Sequence, residues 1–458
     1  MYYKIAHGAI KQRQNTFQTM DSQLYTQIFR TLQKIIILLA AVLALTGCIS
    51  DGITTSPSDA PTFSSDTLDL GTLWADEASP TAITTLQNHA DKSVILEKVS
   101  VTDCKGGTLS INVDGRSGTE FSGVEIRGGD SIYILAEATP TGAFSANIEV
   151  IANGVTLTLP VKASTLIPTV WRDHTITADI ELPEDAVVRV FGNLTIAAGV
   201  KLTANPGATI YFHDAASMSV DGSIDFRGEP DREVTLRGDR LSDVIKGVPF
   251  DVMSSQWHGV TIGEMSADNT LSHISIQNTS DGINMLSGSA LNLDNCRVTN
   301  SAATLISANS STLTATGTEF TNAAGSLISL TDSKATIDRC TLSNHYLFAL
   351  PTGAALSIDE NSSAKVTESI IHGDGSEAEI ADEALPNVRF EKCLFGTTGT
   401  DDQQFTSCLW GKDPMFMLDL ENYLMDFRLD PASPARDQAT ATRTDRYGIA
   451  GRALGAYN

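Results

Sequence analysis

At 458 residues the chain has room for two or three domains. Only 6% of its residues are aromatic, Gly, Ser, Thr, Asn and Asp abound, and no long amphipathic helical pattern follows residue 45, which together exclude a helical protein and favour an all-β one rich in turns. The formal net charge is −24, and because the first 47 residues hold five Lys/Arg and one Asp, the remainder is nearer −28, a sign that argues against nucleic acid as a partner.

The chain opens with 34 residues and then an apolar run, 35–45, preceded by Arg30 and Lys34. The run is short for a bilayer span but has the length of a signal-peptide core. A leader of that length before the run is unusual, and Met20 is an alternative start to Met1. Leu45-Thr46-Gly47-Cys48 follows directly and resembles the bacterial lipobox. The resemblance implies removal of residues 1–47 and lipidation, such as palmitate, on Cys48, giving a stable membrane anchor. Ile49 and Ser50 follow in place of an Asp, so the resemblance points to the outer membrane. Residues 48–65, rich in Ser, Thr, Asp and Pro, read as a flexible tether.

Residues 66–165 contain short alternating segments at 93–101, 108–113 and 131–136, and a hairpin centred on Asn153-Gly154. About seven such strands suggest a β-sandwich. The stretch from Ile111 to Tyr133 resembles the immunoglobulin-like modules that precede β-helices in surface lipoproteins, although Cys104 has no companion of the antibody type. Such a module serves as a spacer or end cap.

Between residues 269 and 345 several columns share a step of 22 residues. Asn278, Asn300, Asn322 and Asn344 form one. Leu271, Leu293, Ala315 and Ile337 form another, and Ile276, Val298, Phe320 and Leu342 a third. Ile283, Leu305 and Leu327 read as a fourth. Stacked units of this size predict a parallel β-helix, right-handed by crossover chirality, over residues 166–408, with 409–458 as a capping segment. Irregular early segments around 194–226 and a seven-residue insertion within 345–355 bring the expectation to about nine coils, roughly 45 Å of stack. Asn suits a turn column because it tolerates the left-handed region, and stacked amides can bond from coil to coil. Cys296, Cys340 and Cys393 share a column two coils apart. At about 9.5 Å they are too distant for disulfides, so they read as buried stack residues. Cys104 and Cys408 have no evident partner.

The segments Leu194 to Val200, Gly222-Ser223-Ile224, Gly238-Asp239-Arg240 and Gln256 to Val260 resemble the first coils of bacterial right-handed β-helix lipoproteins. The tail motifs Ser433-Pro434-Ala435-Arg436-Asp437 and Leu454-Gly455-Ala456-Tyr457 are similar to theirs, with Arg436 standing where that family usually has an apolar residue. The resemblance implies the fold, and implies no single reaction.

No catalytic constellation emerges. Outward charges are sparse in the regular coils, and Asn-Thr-Asp and Gly-His-Gly motifs are absent. Three regions remain as candidates. The excursion 238–256 carries Asp239, Arg240, Asp243, Lys246 and Asp251. The acidic loop of Asp374, Glu377, Glu379, Asp382 and Glu383 offers the oxygen ligands that Ca²⁺ takes, although a solvated acidic loop is the plainer reading and no cofactor is otherwise expected. The apolar insertion with Tyr346, Leu347 and Phe348 reads as packing against the helix flank in preference to a partner contact. His258, His273, His345 and His372 lack zinc-ligand spacing. The expectation is a cell-surface lipoprotein presenting its β-helix to glycans or proteins. The alternative is a polysaccharide lyase or hydrolase acting on acidic glycans.

Overall fold

The computed structural model describes residues 50–458. Cys48, with the leader before it, lies outside the described residues. Among the described residues no helix is long and apolar enough to cross a membrane. The chain is all-β and divides into two units.

The first unit comprises residues 50–69, 80–138 and 145–162. Its long strand Lys92–Val113 bonds antiparallel to Arg116–Gly118, Glu120–Phe121 and Val124–Ile126. Ala82–Gln87 pairs antiparallel with the start of Ser131–Ala152. Asn153 and Gly154 have φ of 55° and 70°, the positive pair that a two-residue hairpin demands. Residues 50–63, expected as part of a flexible tether, are instead bound to this unit. Ser50–Ile53 pairs parallel with the start of Lys92–Val113, and Thr62–Phe63 pairs with Ala82–Gln87. Composition missed this because the stay is made by main chain and by small polar groups: Asn153 Nδ2 donates to Ser56 O at 2.9 Å, and Thr54 Oγ1 to Asp59 at 2.6 Å.

The second unit is the parallel β-helix, followed to the C-terminus. Each regular coil contributes one strand to each of three faces. Face A is built from Gly259–Ile262, Ile283–Met285, Ile306–Asn309, Ile328–Thr331, Leu356–Ile358 and Ala378–Ile380. Face B runs through Val234–Gly238, Ile274–Thr279, Arg297–Ser301, Glu319–Ala323, Thr341–Asn344, Ile370–Gly373 and Leu394–Phe395. Face C has ten strands from Ile180–Leu182 to Phe405–Thr406, so the helix has ten turns where sequence suggested about nine. In the first coils, long strands such as Val187–Ile196 and Thr209–Val220 run across faces A and B without a break, which is why these coils look irregular in sequence.

Register follows the columns on two faces. Leu271, Leu293, Ala315, Ile337 and Val366 are successive partners on face C, and Val298, Phe320, Leu342, Ile371 and Phe395 on face B. All are buried and fill one continuous core. On face A the expected column is corrected by one residue: Ile283 pairs with Ile306, which pairs with Ile328 and then Leu356. The corner before Ile306 holds one residue more than the corner before Ile283. Because Leu305-Ile306 and Leu327-Ile328 are both apolar doublets, periodicity could not choose between them.

The corners are left-handed columns. Asn278, Asn300 and Asn322 have φ of 70°, 59° and 60°. A second column, between faces C and B, takes His273, Asn295, Gly317, Arg339, Glu368, Lys392 and Ser407 into the same region. At Gly317 any side chain would collide with the Arg443 guanidinium, which passes over it to reach Asp294 at 2.5 Å.

The cysteine column is buried and unpaired: burial pushes the thiols of Cys296 and Cys340 up to about 12. At the far end, Phe390 stacks on Phe405 at 4.7 Å and Phe395 on Trp410 at 4.7 Å, closing the last coil with an aromatic plug. The segment 409–458, expected as a cap, does more than close that end, because it turns back along face B. Leu429, Ala435 and Leu454 pack on Ile370 and Leu394. Further back, the Tyr457 hydroxyl donates to Glu319 and the Arg446 guanidinium pairs with Glu233.

Candidate functional site

The three candidate regions of the sequence do not converge on one centre. In the excursion, Asp239 is enclosed and engaged: it accepts from Arg189 Nε at 2.8 Å and lies 2.8 Å from His213 Nδ1. Arg240 turns back on the main-chain carbonyls of Ser242, Asp243 and Val244, so it shapes its own loop. Asp251 pairs with Arg237 at 2.7 Å, while Lys246 is exposed at the tip. The excursion is held down by the Asn column. Asn278 Nδ2 donates to Phe250 O at 3.1 Å and Met253 O at 2.7 Å, and Asn300 Nδ2 to Asp251 O at 2.6 Å. Asn344 exchanges two bonds with the Ala323 peptide, and Asn322 Oδ1 accepts from His345 N at 3.3 Å. These amides therefore fasten main chain; they do not bond to one another as a ladder.

The insertion 345–355 meets the excursion where Tyr346 Oη lies 2.8 Å from Ser254 Oγ. Tyr346 and Leu347 are partly buried, whereas Phe348 is 51% exposed. The acidic loop is scattered. Asp374 faces His345 Nδ1 at 3.3 Å, and Glu377 turns away to accept from the Gly396 and Thr397 amides at 2.7 and 3.2 Å. Glu379 points outward on face A, and Asp382 and Glu383 start a short 3₁₀ turn. Among the described residues no three His, Cys, Asp or Glu side chains are placed to hold a metal, so the Ca²⁺ candidate does not assemble. His258 pairs with Asp281 at 2.8 Å, and His345 and His372 sit 5.9 Å apart beside Phe427 and Phe416. Burial, then the neighbouring His345, holds His372 below its ordinary range.

What the faces offer differs sharply. Face B is covered, and its outward Gln277, Thr299, Thr321 and Ser343 are buried. Face C carries charge at both ends of its outward column, Glu181 and Asp225 at one and Lys365 and Arg389 at the other, with Thr270, Asn292, Thr314 and Thr336 between them. A cavity of about 390 Å³ at its edge is lined by Asp338, Arg339, Glu368, Glu391 and Arg443. Its cations are paired, Arg339 with Glu368 at 2.8 Å and Arg443 with Asp294.

Face A is open and nearly uncharged. Its outward column runs Thr195, Ser219, Thr261, Asn284, Ser307, Ser329 and Ser357 as successive register partners, ending at Glu379. All but Glu379 are partly exposed, and Glu379 is exposed. Each hydroxyl can donate and accept, and neighbours repeat at the strand spacing of about 4.8 Å. A shallow groove of about 300 Å³ lies at its lower end between Ser329, Thr331, Ser357, Asp359 and Glu379. Sequence reasoning missed this strip because it looked for charge and paired carboxylates. The signal was present as Ser, Thr or Asn at the outward position of every face A strand before Ala378–Ile380.

Comparison with known proteins bears on the helix. A family model described as a right-handed β-helix region matches residues 193–371 and 258–400. No curated protein sequence matches the chain. Among solved structures the chain is similar to the ASH / PapD-like domain of human CEP192 (PapD-like domain 7), at 12% identity over 27% of this chain and 97% of that chain, with a TM-score of 0.18. The two family matches lie within the coils described above, and the protein contains a right-handed parallel β-helix.

Proposed function

We propose that this protein is a lipoprotein of the bacterial outer membrane, lipidated at Cys48, whose β-helix binds an uncharged glycan along face A. The observation that carries the reading is the strip itself, an uncovered outward column without an ionised group over seven successive strands, against four on face C. A neutral polyol can replace the water on such hydroxyls bond for bond, with no charge to desolvate. The chain's charge of −24 repels an acidic polymer but is indifferent to a neutral one. In this reading the first unit, as an immunoglobulin-like module, spaces the helix from the membrane. A fold of this kind fixes no function by itself, so the strip's chemistry bears the weight.

The test is a screen of the full chain in detergent against neutral and acidic glycans, with and without Ca²⁺. Binding of neutral glycans without turnover is expected. Release of unsaturated uronate products would overturn the reading in favour of a lyase.

A further inference from the structure

The cysteine column ends in a way that its earlier members do not. Cys296 and Cys340 have Thr318 between them, and Cys340 and Cys393 have Ser369. Beyond Cys393 the next coil brings Cys408 into the same position. Phe390 and Glu391 pair with Phe405 and Thr406, and Leu394 bridges to Leu409, so Cys393 and Cys408 stand opposite each other on adjacent strands. Cys393 Sγ lies 3.5 Å from Val366 O and Cys408 Sγ 3.9 Å from Phe390 O, and the two thiols are close enough to shift each other's titration. Adjacent strands lie about 4.8 Å apart, inside the roughly 4.4–6.8 Å window between Cα atoms that a disulfide accepts. Cys393 is fully buried, while Cys408 is partly exposed beside Asp401, which accepts from the Cys408 and Ser407 amides at 3.1 and 2.6 Å. We propose that Cys393 and Cys408 form a redox-active pair that closes to a disulfide and staples the last coil, with its aromatic plug, to the coil before it.

The two thiols have separate parts. Burial raises Cys393, which stays protonated; the Cys393 S–H beside it lowers Cys408 and favours its thiolate. Cys408 is the attacking sulfur. Its thiolate displaces one sulfur of an external disulfide, such as oxidised glutathione or the disulfide of a thiol oxidase, giving a mixed disulfide and one released thiolate. Cys393 then gives up its proton and attacks Cys408 Sγ, expelling the second thiol. Two electrons pass to the reagent disulfide, and two protein thiols become one S–S bond. Cys296 and Cys340 take no part, being buried and two coils from any other cysteine in the column.

The test treats the native full chain with oxidised glutathione and maps its peptides without reduction. The expected result is a crosslinked Cys393–Cys408 peptide with Cys296 and Cys340 still free, and a thermal midpoint that rises by several degrees and falls back on adding dithiothreitol. Cys408→Ser should abolish both the crosslink and the shift, and Cys393→Ser should leave Cys408 carrying glutathione. A wild-type chain in which Cys408 stays reduced, or keeps glutathione while Cys393 remains free, overturns the proposal. The outcome does not depend on what face A binds.

Discussion

At the scale of single residues, the Asn column joins a backbone requirement to a docking role. Asn300 occupies the left-handed region and its amide fastens Asp251 of the excursion. Asn300→Leu should lose the hydrogen bond, about 1–3 kcal/mol, and add backbone strain of about 1–2 kcal/mol. Asn300→Gly should recover the strain and keep the other loss, and unfolding in urea would separate the two; equal stability of Leu and wild type would remove the column's role. The step and the turn chemistry of this column were legible in the sequence, because Asn recurring at a fixed step marks a left-handed corner in stacked coils. The acceptor was not, since it comes from a loop with no period. His372 adds a pH dependence. Its folded value lies below the ordinary one near 6.5, so the unfolded chain takes up the proton first. Stability is then whole above about pH 6.5 and declines as pH falls below it. The thermal midpoint between pH 7.5 and 5 should fall less steeply in His372→Gln, and parallel slopes would contradict this.

At the scale of elements, the segment after the last coil behaves as a cover. Face B would otherwise expose apolar Ile370 and Leu394 beside the charged Arg297 and Glu319, and the segment supplies a partner for each kind. Glu319 is nearly fully enclosed, held by Arg297 at 3.2 Å, Thr321 at 2.8 Å and the Tyr457 hydroxyl. Tyr457→Phe should cost about 1–3 kcal/mol by leaving a buried carboxylate short of a donor. Chemical denaturation measures this, and a neutral result would mean the segment holds by its apolar contacts alone. The tail motifs were legible as a family likeness, but their placement on face B was not. Nothing in the tail repeats with the coils, so periodicity says nothing about which face it meets. The same blindness hid Cys408, whose coil is much shorter than the 22-residue step.

At the scale of the whole molecule, the β-helix sorts its surface by face. The repeat that revealed the core also fixes the outward positions, since side chains alternate along each strand and neighbours keep register through ten turns. The core columns were readable because apolar residues recurring at a fixed step must stack inside the coils. The face A strip was not, because Ser, Thr and Asn are common on any exposed strand, the middle of face C included, and only the closure of face B and the charges at the two ends of face C's column single it out. The most direct measurement is calorimetric titration of the full chain with a neutral glycan identified by the screen, beside the double variant Ser307→Asp, Ser329→Asp. Both positions point outward, so the variant should keep the wild-type thermal midpoint while its affinity falls at least tenfold. Undiminished binding by the folded double variant would contradict the assignment of face A as the binding surface.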